Sequence, residues 1–232
     1  MGDIVPLIKP AARPRFEITR SMRKVHPIYH ASCGVVPAVT TCTGLRAKPG
    51  LLKWNNELGR EHPEISPEQY TQDLARLGEL VHHRIECRLL KVEPDLSDYT
   101  PNELSAALPA LEKFERWSKD KTIEVIGIER PLVSEAHLFG GTIDVFAVID
   151  GRRAVCDIKT SKGIYDEHLV QTSAYAELLK ENGEHVDEIR ILRVGRVDDD
   201  SLEEKRVTDW DRYWRVFLAL LEVYWAERAL RR

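Results

Sequence analysis

Two acids and a lysine stand out by type and spacing: Asp144, Asp157 and Lys159. They lie on either side of Asp150-Gly151, a dipeptide that signals a two-residue hairpin, usually type I′, when it joins two apolar runs. Counting outward from that turn, Ile149 faces Arg152, Val148 faces Arg153, and Asp144 faces Asp157. Carboxylates opposed in this way have Cβ atoms about 4.5–5.5 Å apart on one face of the sheet. Lys159 points to the same face and lies diagonal to Asp144. Like charges placed opposite each other repel. Ile143, Val145, Cys156 and Ile158 flank the acids and predict central, buried strands, where a charge without a partner is costly. A divalent cation between the carboxylates resolves the conflict, since hard cations prefer carboxylate oxygens. The competing reading is a salt-bridged cluster in which Lys159 neutralises both acids.

The elements that must position these residues follow from periodicity. Ser66-Pro67-Glu68-Gln69 is a helix start: a serine cap, proline at the first helical position, and Gln69 placed to close a capping box. Leu74, Leu77, Val81, Ile85 and Leu89 then recur every three or four residues, predicting an amphipathic helix to about Lys91. Thr100-Pro101-Asn102-Glu103 repeats the signal, with a helix to about Trp117. Residues 122–129, 141–149, 152–160 and 187–195 read as strands, and 166–181 as a helix ending before Asn182-Gly183. A last helix from Asp209 carries Trp210, Trp214, Phe217, Leu221 and Trp225 as a core-packing stripe. Leu51, Leu52, Trp54 and Leu58 suggest a further short helix, after a segment at 33–47 rich in small and β-branched residues. The expected fold class is α/β: a mixed central β-sheet flanked by helices, with an N-terminal helical region. Within one domain overall, 1–30 reads as an extended basic arm, 31–120 as mostly helical, and 121–232 as the core carrying the acids.

Composition bounds the partners. The 232 residues are 43% hydrophobic and 31% charged, with net charge −4, so no global basic signature for nucleic acid is present. Any nucleic acid must be held by local patches or metal ions. Lys9, Arg13, Arg15, Arg20, Arg23 and Lys24 against Asp3 and Glu17 make the N-terminus a nucleic-acid-binding arm, a solvated tail or a targeting segment. Cys33, Cys42, Cys87 and Cys156 lack the short spacings of a zinc or iron–sulfur site and read as free thiols in a reducing compartment. No apolar run approaches the roughly 20 residues of a membrane span.

Asp144 in GTID, followed by Asp157-Ile158-Lys159 in DIKT, resembles the PD-(D/E)XK nuclease pattern, with Ile143 where the family name has proline. Gln171 and Tyr175 resemble the QxxxY element of its RecB-like branch. Gly78 to His82, within GELVHHRIE, resembles that branch's helical GxxxH element. Pro37-Ala-Val-Thr40 and Leu51 to Trp54 resemble an N-terminal segment of phage and mitochondrial genome maintenance exonucleases. These elements span about residues 37–175.

The resemblance implies a restriction-endonuclease-like fold and a deoxyribonuclease using one or two Mg²⁺ or Mn²⁺ ions. His82, Asp144, Asp157 and the backbone carbonyl of Ile158 would be ligands, and Lys159 the catalytic lysine. Gln171 and Tyr175, four apart on one helical face, would position the lysine or the DNA backbone. His83 is the rival of His82, about 100° round the helix. Glu129 and Glu135 are candidates for a second ion. The scattered cysteines exclude the iron–sulfur cluster of Cas-associated relatives. The implied activity is exonucleolytic, on single strands or duplex ends, in repair, recombination or phage DNA processing. The implied setting is the cytoplasm of a bacterial or phage-infected cell, or a mitochondrion, with a recombination or replication protein as a further partner. The alternatives are a structure-specific or restriction-type endonuclease and a non-catalytic DNA-binding subunit on the same scaffold.

Overall fold

The computed structural model describes residues 28–46, 50, 60, 66–196 and 202–231. Most of the basic arm and most of the short helix expected at 51–61 lie outside the described residues.

The described chain opens with a small antiparallel hairpin, β1 (Tyr29–Ala31) and β2 (Gly34–Val36), then a short helix α1 (Val39–Thr43). Two long helices follow, α2 (Pro67–Leu90) and α3 (Pro101–Ser118). Their starts are those the sequence encodes. Ser66 accepts a bond from the Gln69 amide at 3.0 Å, although the Gln69 side chain turns to Asp73 rather than closing the box. At Thr100 the box with Glu103 is complete. The central sheet has the order β3-β4-β5-β6-β7: β3 (Ile123–Ser134), β4 (Phe139–Ile149), β5 (Arg152–Lys159), β6 (Glu188–Val194) and β7 (Leu202–Val207). All its pairings are antiparallel except β5 with β6, which α4 (Asp166–Glu181) connects. The last helix, α5, spans Asp211–Leu230.

The mixed sheet flanked by helices matches the expected class, with four corrections. First, β3 runs on to Ser134, through Pro131, because β3 is an edge strand where a missing amide costs no ladder bond. Second, β7 has a polar sequence, LEEKRV, without the apolar alternation that marks a strand. It forms by pairing with β6 at the other edge. Third, the segment before residue 120 is not only helical, since β1 and β2 lie within it. Fourth, Tyr29 and His30 belong to β1 rather than to an extended arm.

The two faces of the sheet are covered differently. On one, α1, α4 and α5 pack against Phe146, Val155, Ile189 and Ile191, with Phe217 and Leu221 of the aromatic stripe fully inside. On the other, α2 and α3 pack against Val145, Ala147, Cys156, Ile158 and Leu192. Burial of such side chains is worth about 1.5–3 kcal/mol each before entropy is counted. The consequence for function is that β5 is central, with helices above and below its carboxyl end. Among the described residues no helix is long and apolar enough to cross a membrane.

Candidate active site

The hairpin holds the register that its turn implies. Asp150 and Gly151 adopt φ of 52° and 80°, the left-handed pair that a type I′ turn requires. Pairing runs from Ile149↔Arg152 to Val145↔Cys156. Asp144 and Asp157 are the next step, just past the end of the ladder. There the Ile158 amide donates to Asp144 Oδ2, at 3.4 Å. An extended residue aims its N–H and C=O to the same side, so the Ile158 carbonyl also looks toward Asp144.

The irregularity continues across the sheet. On β3, Ile128 pairs Val145 and Arg130 pairs Ile143, and the register steps over Glu129 between them. Its φ is 46°, uncommon for a residue with a side chain. Alternation along β4 breaks at the same point, because Ile143 joins the core of α4 and α5 while Val145 joins the core of α2 and α3. Backbone strain of this kind, of order 1–3 kcal/mol, tends to collect at functional sites.

Asp157 is almost wholly buried, its side chain 1% exposed, whereas Asp144 keeps 17%. Lys159, two residues beyond Asp157, shares its face of β5. It folds back on its own strand, Nζ lying 2.9 Å from Asp157 Oδ1 and 2.8 Å from Oδ2. Only the first of these has hydrogen-bond geometry, which leaves the buried Oδ2 without a bond among the described residues. Burial pushes Asp157 up to about 7; the Lys159 ammonium pulls the other way and the Asp144 carboxylate adds to the rise. Burial opposes the Lys159 ammonium too, but Asp157 and Asp144 outweigh it and hold its pKa above the ordinary lysine value. That direction is opposite to what a lysine acting as general base needs.

Helix α4 supplies the next layer. Gln171 Oε1 lies 3.4 Å from Lys159 Nζ, and Gln171 Nε2 lies 3.4 Å from Asp157 Oδ1. The same amide nitrogen donates to Tyr175 OH at 2.9 Å. Gln171 therefore bridges the lysine, the buried acid and the phenol. Burial, with the two aspartates behind it, raises Tyr175 well above the usual phenol range and keeps it neutral.

Two tyrosine rings, Tyr175 and Tyr29, account for two glycines before Asp144. A Cβ on Gly141 would sit 2.7 Å from the Tyr175 ring, and one on Gly140 would sit 2.3 Å from the Tyr29 ring. Tyr29 OH shares a 2.8 Å hydrogen bond with Thr142 Oγ1, so the whole GGT segment before Asp144 is shaped by two tyrosines.

Helix α2 approaches from the opposite side. A Cβ on Gly78 would lie 3.3 Å from Thr160 Oγ1, which shows how closely α2 crosses the end of β5. One helical turn on, His82 Nδ1 stands 3.7 Å from Asp144 Oδ2. His83 turns away; its ring nitrogens lie 3.8–3.9 Å from Cys87 Sγ, and burial lowers its pKa. The structure thus brings together His82, Asp144, Asp157, Ile158, Lys159, Gln171 and Tyr175 from four elements. Glu135 is elsewhere. It is fully exposed and accepts bonds from the Ser32 amide and hydroxyl in the β1–β2 turn, so the sequence-based candidacy of Glu135 for an ion is corrected. The four cysteines are free thiols, three of them buried in separate places.

Among the described residues, no three His, Cys, Asp or Glu side chains are already drawn into a closed ligand set. The donors nevertheless suit a hard divalent ion. Two carboxylates lie side by side, a histidine nitrogen is near, and a buried carboxylate oxygen lacks a hydrogen bond. In comparisons with known proteins, no family model and no curated protein matches the chain.

Proposed function

We propose that the protein is a metal-dependent deoxyribonuclease of the PD-(D/E)XK type, on a restriction-endonuclease-like fold, hydrolysing phosphodiester bonds as an exonuclease. The observation that carries this reading is the buried Asp157 carboxylate, held against the Lys159 ammonium with the Asp144 carboxylate beside it. A buried acid pair held in this way is costly in itself. It fits a cation site better than a structural salt bridge, for which one acid and one lysine suffice.

His82, Asp144, Asp157 and the Ile158 carbonyl would hold Mg²⁺ or Mn²⁺. The ion would bind the scissile phosphate, acidify a water and neutralise developing charge. The protein's own groups do the rest. Lys159, kept protonated by its two acidic neighbours, presents positive charge to a phosphate oxygen and stabilises the added charge of the transition state. Gln171 restrains the ammonium through its carbonyl oxygen, and Tyr175 restrains Gln171. Tyr175, buried in the core beneath α4, accepts from Gln171 and so holds the amide in place from the core side. The exposed 17–19% of His82, Asp144 and Lys159 is the side from which DNA would enter.

The test uses labelled linear and closed circular DNA, single- and double-stranded, with Mg²⁺ or Mn²⁺. Linear DNA should be degraded, EDTA should stop the reaction, and Asp157→Ala and Lys159→Ala should each abolish cleavage while circular dichroism stays unchanged. Full activity in either variant, or cleavage without metal, refutes the reading. Cutting of closed circles would replace exonuclease by endonuclease.

A further inference from the structure

The strongest clue beyond the site already described is where the lysine sits. Lys159 Nζ lies within 2.9 Å of both oxygens of Asp157. Those are the oxygens that the metal-site reading above, on which this inference rests, assigns to a cation. An ammonium and a divalent ion cannot share them without strong repulsion, so Lys159 must move when the ion enters. Asp144 cannot receive it, being occupied by the same ion. Gln171 Oε1 lies 3.4 Å from Nζ, but it is neutral.

One turn before Gln171 on α4 stands Glu167. Residues 167, 171 and 175 are spaced by four and form one stripe along the helix. Gln171 and Tyr175 show that this stripe faces the site. Glu167 is half-buried on the face that meets Lys159, and its charge adds, after those of Asp157 and Asp144, to what favours the ammonium. An acid in the first turn of a helix is often there only to complement the helix dipole. Asp166 serves that purpose equally well from a position about 100° away, on an exposed face. The dipole alone therefore does not account for an acid in line with Gln171 and Tyr175.

We propose that Glu167 is a positioning residue, the anionic acceptor to which the Lys159 ammonium is handed when a divalent cation takes Asp144 and Asp157. In this arrangement the lysine swings along the α4 stripe from Asp157 toward Glu167. It stays charged and stays beside the phosphate. No bond is made or broken; one ion pair replaces another.

The test is calorimetric titration of Mn²⁺ into the metal-stripped full-length protein without DNA. The proteins compared are wild type, Glu167→Gln, Lys159→Met and the double variant, with Asp166→Asn as the control for a helix-dipole role. Lys159→Met should bind Mn²⁺ more tightly than wild type, because the competing ammonium is gone. Glu167→Gln should weaken binding about threefold to tenfold, in the range of coupling between neighbouring groups. In the Lys159→Met background the same change should cost less than about twofold. Glu167→Asp should restore most of the affinity, and Asp166→Asn should leave it unchanged. A Glu167→Gln variant that binds like wild type overturns the hand-over. So does an equal penalty in both backgrounds, which would mean general charge attraction. Absence of Mn²⁺ binding in every protein overturns the metal-site reading itself, and the hand-over with it.

Discussion

Gly141→Ala offers a test of the site's geometry that needs no knowledge of the substrate. The added methyl would lie 2.7 Å and 3.1 Å from two carbons of the Tyr175 ring and 3.0 Å from Val39 Cγ2. Neither neighbour has room to give way. Tyr175 is 4% exposed, Val39 is fully buried, and both belong to the core beneath α4. Overpacking of a well-filled core costs about 1–3 kcal/mol. For a chain of this size that corresponds to a fall in Tm of roughly 2–12 °C. The ring must also move, and with it the hydroxyl that accepts from Gln171 at 2.9 Å. Cleavage should therefore fall more than Tyr175→Phe alone produces, because Tyr175→Phe leaves the ring in place. Thermal melts of Gly141→Ala, Tyr175→Leu and the double variant separate the terms. In the Tyr175→Leu background, with the ring gone, most of the alanine penalty should vanish. A neutral Gly141→Ala, or a penalty unchanged by Tyr175→Leu, would refute the close approach of ring to strand on which the placement of Gln171 depends.

Two further outcomes are expected. His82→Ala should lower Mn²⁺ affinity about tenfold or more, as loss of a metal-orienting group does, whereas His83→Ala, which removes only a contact with Cys87, should change it less than about twofold; calorimetry on both variants decides between the two histidines. Glu103 is held down to about 2, mainly by its hydrogen bond from Arg76 and then by the Thr100 amide. Its folded pKa lies below the unfolded value, so its contribution is present above about pH 4.5 and disappears as pH falls toward 2. The Tm difference between wild type and Glu103→Gln should therefore shrink across that window, and from a small starting value because the pair faces solvent; a difference that grows on acidification would contradict the Arg76 pair and, after it, the Thr100 cap.

The sequence alone determined the local features. Ser66, Thr100 and Asp150-Gly151 act on backbone atoms within a few residues, so helix starts and hairpin register could be counted out before any tertiary contact was known. The register in turn brought Asp144 next to Asp157. The QxxxY spacing put Gln171 and Tyr175 on one helical stripe, and the resemblance picked His82 over His83; in the structure His82 Nδ1 stands 3.7 Å from Asp144 Oδ2. What only the tertiary structure decided depends on segments far apart in the chain. The polar strand β7 exists because β6 offers it an edge. Lys159 pairs with Asp157 because both are shut between the sheet and α4, where burial favours pairing of the nearest opposite charges. Gly78, Gly140 and Gly141 mark close approaches of α2, Tyr29 and Tyr175, and a missing Cβ says nothing in sequence about what will fill its place. Periodicity fixes which way a side chain points along its own element; which groups it then meets is set by how the elements pack.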